Sequence, residues 1–97
     1  MNIETIRQEL SEKIKHIDPI GKTLKFDIDG DYMYIDGTGE QNIMNAENHD
    51  ADCTVIMSLD TYVKLQRKEI KPMIATLKGK LRVKGALGVA RKLKQLM

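Results

Sequence analysis

No tryptophan occurs among the 97 residues, and Phe26 is accompanied by only three tyrosines, Tyr32, Tyr34 and Tyr62. Proteins that hold single-stranded nucleic acid stack successive bases on aromatic side chains, so this scarcity disfavours nucleic acid as a partner. Cysteine is equally sparse. Cys53 is single, which excludes an internal disulfide framework, and with His16 and His49 it forms no metal-binding spacing. No apolar run approaches the ~18 residues a membrane span needs. Met1 to Ile14 is charged throughout, with Glu4, Arg7, Glu9, Glu12 and Lys13, so no secretory leader is read there. Also missing are a nucleophile paired with a base, a metal cluster and a phosphate-cradling glycine loop. Gly79, Gly85 and Gly88 have the wrong spacing for a dinucleotide fingerprint. The expectation is one soluble, cytoplasmic domain over residues 1–97, noncatalytic and without a cofactor.

What the chain does contain is charge, unevenly placed. Residues 1–60 hold 5 Lys and Arg against 13 Asp and Glu, a net of −8, whereas residues 61–97 hold 11 against 1, a net of +10. A basic C-terminal third implies either an acidic partner or a solvated face that keeps a small domain dispersed. Six methionines partly replace the missing aromatics. Methionine fills irregular core space and also lines adaptable pockets.

The apolar periods change along the chain. Asn2 can cap a helix with the stripe Ile3, Ile6, Leu10, Ile14 and Ile17, and Asp18-Pro19 ends it. Leu24, Phe26 and Ile28 then alternate with Lys25, Asp27 and Asp29. Asp29-Gly30 is a preferred two-residue hairpin turn. That turn pairs Ile28 with Asp31, Phe26 with Met33, and Leu24 with Ile35. It leaves Tyr32 and Tyr34 on the opposite face with Lys25 and Asp27. Read as a calcium loop, the Asp27–Asp31 stretch would put Lys25 where a carboxylate is required. Asp36 to Glu40 is a turn, and Gln41 to Asn45 is expected to form a short strand with Ile43 inward. Ala46 to Asp52 is a polar loop in which His49 sits beside Asp50.

Cys53 to Met57 has apolar side chains at both parities and reads as a central strand. Ser58 can cap the next helix, which carries Leu59, Tyr62, Val63 and Leu65 on its dry side. Pro72 suits the first turn of a further helix with Met73, Ile74 and Leu77. Lys80, Arg82 and Lys84 alternate with Leu81 and Val83, a strand between Gly79 and Gly85. Ala86, Leu87, Val89, Ala90, Leu93, Leu96 and Met97 then recur at helical spacing. Strands first and helices clustered late indicate an α+β domain.

The second half resembles the sterol carrier protein 2 family of small lipid-transfer domains. The resemblance is carried by Ala51-Asp52-Cys53-Thr54 and by Met57-Ser58-Leu59-Asp60-Thr61-Tyr62. Lys64-Leu65, Pro72, Ala75, and the Gly-Lys-Leu-Arg-Val-Lys-Gly run from Gly79 to Gly85 continue it, with Gly88, Ala90 and Lys92-Leu93 beyond. It runs without a gap from Ala51 to about Leu93. Lys68 stands where the family commonly has a glycine turn, and Thr76 where a phenylalanine often lines the following helix.

The resemblance implies a five-stranded, mainly antiparallel sheet with helices packed on one face and an apolar tunnel between the layers. It implies noncatalytic binding of a hydrophobic small molecule such as a fatty acid, a fatty acyl-CoA or a sterol. The expected wall is Phe26, Met57, Tyr62, Leu65, Met73, Ile74, Leu77, Leu81, Val83, Leu87, Ala90 and Leu93, each of which could equally be core. Lys84, Arg91, Lys92 and Lys94 are the expected contacts to an anionic headgroup or, transiently, to an anionic membrane surface. The alternative is an interaction module of the same fold, with a filled cavity and a basic face for a partner protein. Neither reading specifies an oligomeric state.

Overall fold

A computed structural model describes residues 2–90 and, within them, all side chains except those of Leu87 and Ala90. The elements in chain order are α1 (Ile3–Lys13), a 3₁₀ turn (Ile14–His16), β1 (Thr23–Ile28), β2 (Asp31–Asp36) and β3 (Ile43–Asn45). They continue with β4 (Cys53–Met57), α2 (Leu59–Gln66), α3 (Pro72–Leu77), β5 (Leu81–Gly85) and α4 (Leu87–Ala90). The strands form one sheet in the order β3-β2-β1-β4-β5. Only β1 and β4 run parallel. The α+β, mainly antiparallel architecture is as expected.

Local chemistry accounts for most boundaries. Asn2 Oδ1 accepts the Thr5 N–H at 2.9 Å and opens α1, whose Ile6 and Leu10 are fully buried. The hairpin turn places Asp29 and Gly30 at φ 51° and 87°, as a two-residue turn of this kind requires. Its register pairs Ile28 with Asp31, Phe26 with Met33 and Leu24 with Ile35. Leu24, Phe26, Ile28, Met33 and Ile35 therefore share the buried face. Ser58 caps α2 by accepting the Thr61 N–H.

One expectation needs correction. Ile43 points outward and is 64% exposed. Ile35 pairs with Met44 and Asp36 with Ile43, so Met44 shares the buried side and packs on the core. A shift of one residue moves a strand's whole apolar set to the other face. β4 is central, lying between β1 and β5, but only Cys53, Val55 and Met57 are buried; Thr54 and Ile56 are half-buried on the other side. That side of the sheet also carries Lys25, Asp27, Tyr32 and Tyr34, half-buried, and Arg82 and Lys84, exposed. His49 pairs with Glu47 rather than Asp50 and sets its ring against Tyr34, 5.1 Å between centroids.

Two polar knots fasten neighbouring segments to one another. Asn42, buried, accepts the Ile20 N–H at 2.9 Å and donates to the Ile14 and Asp18 carbonyls, both at 3.1 Å. It thereby fastens the link between α1 and the sheet. Asp52 Oδ2 accepts from the Thr23 N–H and hydroxyl at 2.9 and 3.0 Å, and the Asp52 N–H donates back to Thr23 Oγ1 at 2.8 Å. These bonds lower the Asp52 pKa from its ordinary 3.8. Their contribution is present above that value and is lost as pH falls through the lower folded one.

α2 and α3 end alike. After α3, Gly79 has φ 73°, and the Lys80 N–H reaches back to the Ala75 carbonyl at 2.8 Å. After α2, Lys68 has φ 60°, and the Glu69 N–H reaches the Lys64 carbonyl at 2.9 Å. Both are left-handed terminations of the Schellman kind, a position glycine fills without steric cost. The turn where the family commonly has glycine is kept, with a lysine held in it. Lys68→Gly is therefore expected to stabilise the domain by about 1 kcal/mol, the left-handed cost outweighing the added freedom of the unfolded chain. Urea unfolding of the two proteins side by side measures it.

Candidate functional site

The layer beneath α1 and α2 is made of buried side chains. Ile6, Leu10, Leu24, Phe26, Met33, Ile35 and Val55 have no exposure, and Phe26 meets Tyr62 edge-on at 6.5 Å. Of the expected wall residues, Phe26, Met57, Tyr62, Leu65 and Leu81 lie in this core, with Val83 packed against it. The Tyr62 ring is buried, and burial pushes its phenol up to about 12 from an ordinary 10.0, with Glu9 adding to the effect. The unfolded chain thus ionises first. Stability from Tyr62 is complete below pH 10 and is lost as pH rises toward 12. Two pKa units correspond to roughly 2–3 kcal/mol. Tyr62→Phe is expected to flatten this alkaline loss, measured as melting temperature between about pH 9 and 11.5.

α3 behaves differently. Ala75 is its one fully buried side chain, set where the helix packs on β5. A helix turns once in about 3.6 residues, so Met73 and Leu77 lie roughly 160° round from Ala75. They are 73% and 77% exposed, and Ile74 on the flank is 40% exposed. Together with Ile43 these are the large exposed hydrophobic residues among those described. Among the described residues, Met73 and Leu77 point away from the side on which α3 packs on β5, because the small Ala75 occupies that position.

Beside α3 runs an open groove of about 820 Å³, lined by Lys64 of α2, by Glu69, Ile70 and Lys71 of the link, and by Ile74, Lys78 and Lys80. Ile70 is half-buried and packs on the core. Lys64 is paired with Asp60 at 3.1 Å. The cations gathered here come from three segments separated in sequence, which is why strand and helix periods did not single them out. Lys84, the expected headgroup contact, instead points from β5 to the open face of the sheet, opposite Thr54. The backbone of Leu87 and Ala90 belongs to α4, while their side chains, and Leu93, Arg91, Lys92 and Lys94 altogether, lie outside the described residues. A second opening, of about 570 Å³, lies at the ends of β1, β4 and β5, where Asp27, Asp29 and Asp60 face Lys80 and Arg82.

The surroundings of Cys53 and His49 account for both side chains. Cys53 is buried, and burial pushes its thiol pKa up, away from the thiolate a nucleophile needs. His49 is held by Glu47 and Tyr34 on the far side of the sheet from the helices. Among the described residues no group of three His, Cys, Asp or Glu could hold a metal ion, and no helix is long and apolar enough to cross a membrane.

Sequence and fold comparisons agree on the class. The model of the SCP-2 sterol transfer family matches residues 3–97, and the chain belongs to that family. Among curated proteins, it is 43% identical over 47 residues to hydroxysteroid dehydrogenase-like protein 2 of Bos taurus. That stretch is 48% of this chain, and the chain spans only 11% of that relative. Among solved structures, sterol carrier protein 2 like 2 of Aedes aegypti superposes with a TM-score of 0.78 at 19% identity, covering 98% of this chain and 95% of that one. The solution structure of the palmitated form of that Aedes aegypti protein gives 0.73 at 22%, covering 96% and 91%. The likenesses to solved structures establish the fold, and membership of a sterol transfer family makes a hydrophobic lipid the class of ligand to consider.

Proposed function

We propose that this chain binds a lipid noncatalytically at the α3–β5 end of the domain, as a cytoplasmic carrier of a fatty acid, a fatty acyl-CoA or a sterol-like molecule. The observation that carries the reading is the contrast between the buried side chains under α1 and α2 and the open groove beside α3, where Ile70 and Ile74 lie among lysines. Ile70 and Ile74 supply the described apolar part of the contact. Lys71, Lys78 and Lys80 line the groove and would meet a carboxylate or phosphate head, the role expected of Lys84, Arg91, Lys92 and Lys94. Burying alkyl surface yields about 0.8 kcal/mol per CH₂. A 16-carbon chain thus gives on the order of 12 kcal/mol gross, enough for micromolar binding after association costs. The palmitated state of the Aedes aegypti protein supports a fatty-acid-sized ligand.

Titration with a fluorescent fatty acid, followed by displacement with acyl-CoA, tests the reading. Saturable micromolar binding is expected, weakened about tenfold or more by Ile74→Asp, which places a charge where the alkyl chain would lie. Ile74 is partly exposed, so the variant should fold. Absence of saturable binding for every amphiphile tried would favour the interaction module, whose cavity is filled by its own side chains.

A further inference from the structure

The face of the sheet turned away from the helices gathers groups that lie far apart in the chain. Tyr32 and Tyr34 of β2, Lys25 of β1, Ile56 of β4, and Arg82 and Lys84 of β5 all stand on it. Strand pairing lines them up in two rows. One row runs Tyr34, Lys25, Thr54, Lys84, and the next runs Tyr32, Asp27, Ile56, Arg82. Two of the three tyrosines thus share a surface with cations from the basic third of the chain. We infer that this face binds single-stranded nucleic acid, with bases stacked on Tyr32 and Tyr34 and phosphates held by Lys25, Arg82 and Lys84.

Alternate residues of a strand are about 7 Å apart, so each tyrosine ring can carry its own base. The rings already take partners of the right kind. The Lys25 ammonium lies 5.5 Å from the Tyr32 centroid, and the His49 ring meets Tyr34 at 71° between planes. β5 stands three strands from β2, about 14 Å away. A nucleotide strand crossing the sheet therefore meets the rings on one side and the cations on the other. Asp27 is the one carboxylate in the two rows, and its Oδ1 accepts the Gly30 N–H at 3.0 Å. The second row runs along the hollow of about 570 Å³ that Asp27, Ile56 and Arg82 help to line. Val89 of α4 is buried in the core on the opposite side of the sheet, and the described chain ends in that layer at Ala90. An acidic peptide would satisfy the cations but give the tyrosines nothing to stack on. A duplex keeps its bases inside and offers phosphate alone. The inference is independent of the ligand reading, since no residue of the α3 groove takes part.

Fluorescence anisotropy of the full chain with labelled RNA and DNA single strands of about 12 nucleotides tests it. A duplex of the same length and heparin, a polyanion without bases, are the comparisons. Saturable binding to the single strands is expected, at least about tenfold tighter than to either comparison. Three phosphate contacts predict a slope of log affinity against log salt of about −2. Tyr32→Leu with Tyr34→Leu should weaken binding about tenfold or more without changing that slope. Tyr32→Phe with Tyr34→Phe keeps the rings and should bind as the wild type does. Arg82→Gln with Lys84→Gln alters only exposed side chains and should flatten the slope at an unchanged melting temperature. Arg91→Gln with Lys92→Gln and Lys94→Gln should leave binding intact; loss of binding in that variant alone would move the site to the chain's end and overturn the inference. It is also overturned by no binding at about 0.05 M salt, by duplex or heparin binding as tightly as the single strands, or by wild-type affinity in the leucine variant. Tighter binding of polyglutamate would give the face to an acidic protein instead.

Discussion

Leu81→Asp is expected to leave no measurable folded population at room temperature. Leu81 is 3% exposed and pairs with Met57 at the start of β5, where α3 packs on the strand. Removing the leucine side chain from such a site costs about 2–5 kcal/mol. An unpaired carboxylate in its place adds about 3–5 kcal/mol more, because burial strips its water and no cation replaces it. The total rivals the whole stability of a domain this size, on the order of 5–15 kcal/mol. Far-ultraviolet circular dichroism and thermal melting report the result. Leu81→Met, which keeps volume and polarity, should cost less than about 1.5 kcal/mol. An unchanged melting temperature for the aspartate variant would mean that β5 presents its other face to the core.

Gly85→Ala should be nearly as damaging, although it adds one methyl group at an exposed residue. A β-carbon on Gly85 would lie 2.2 Å from the Asp52 carbonyl oxygen, and Gly85 has φ 95°. That oxygen is fixed on both sides: it accepts the Ala86 N–H at 2.8 Å, and the Asp52 side chain is clamped to Thr23. Backbone cannot yield as the end of a long side chain can, so the last β4–β5 rung and the Ala86 bond must open. Strain in the left-handed region adds about 1–2 kcal/mol, and a loss of about 3–5 kcal/mol in all is expected. For a domain of this length that is a fall in melting temperature of roughly 12–40 °C. Gly30→Ala provides the contrast: Gly30 also has positive φ, but nothing lies within 4 Å of the added carbon. Its cost should be the conformational strain alone, about 1–2 kcal/mol.

These two sites also mark how far the amino-acid pattern could be read. The facing of β5 followed from alternation of Lys80, Arg82 and Lys84 with Leu81 and Val83. The hairpin register followed from Asp29-Gly30, because a two-residue turn leaves one way to pair the strands. Gly85 was recognisable as punctuation and as the end of the Gly79 to Gly85 run; that Asp52, 33 positions earlier, closes on it is a fact of the sheet. Asn42 gave no signal at all, since its partners lie 22 to 28 residues away and an asparagine in a turn region needs no special account. The left-handed Lys68 was hidden because the residue type argues against that conformation. Ile43 was misplaced because a three-residue strand has no turn of its own to set its register.

By itself, the order of residues determined the elements, the hairpin, the helix caps and the family, all of which rest on interactions between near neighbours or on a long ungapped pattern. Only the tertiary structure decided which apolar side chains were left over. Met73 and Leu77 have the same character as Tyr62 and Leu65, and their spacing is as helical. What separates them is Ala75, whose small side chain lets α3 lie close on β5 and so turns the larger ones outward. Which side of a short helix meets the core depends on the distance between packed elements, and no local period contains that distance.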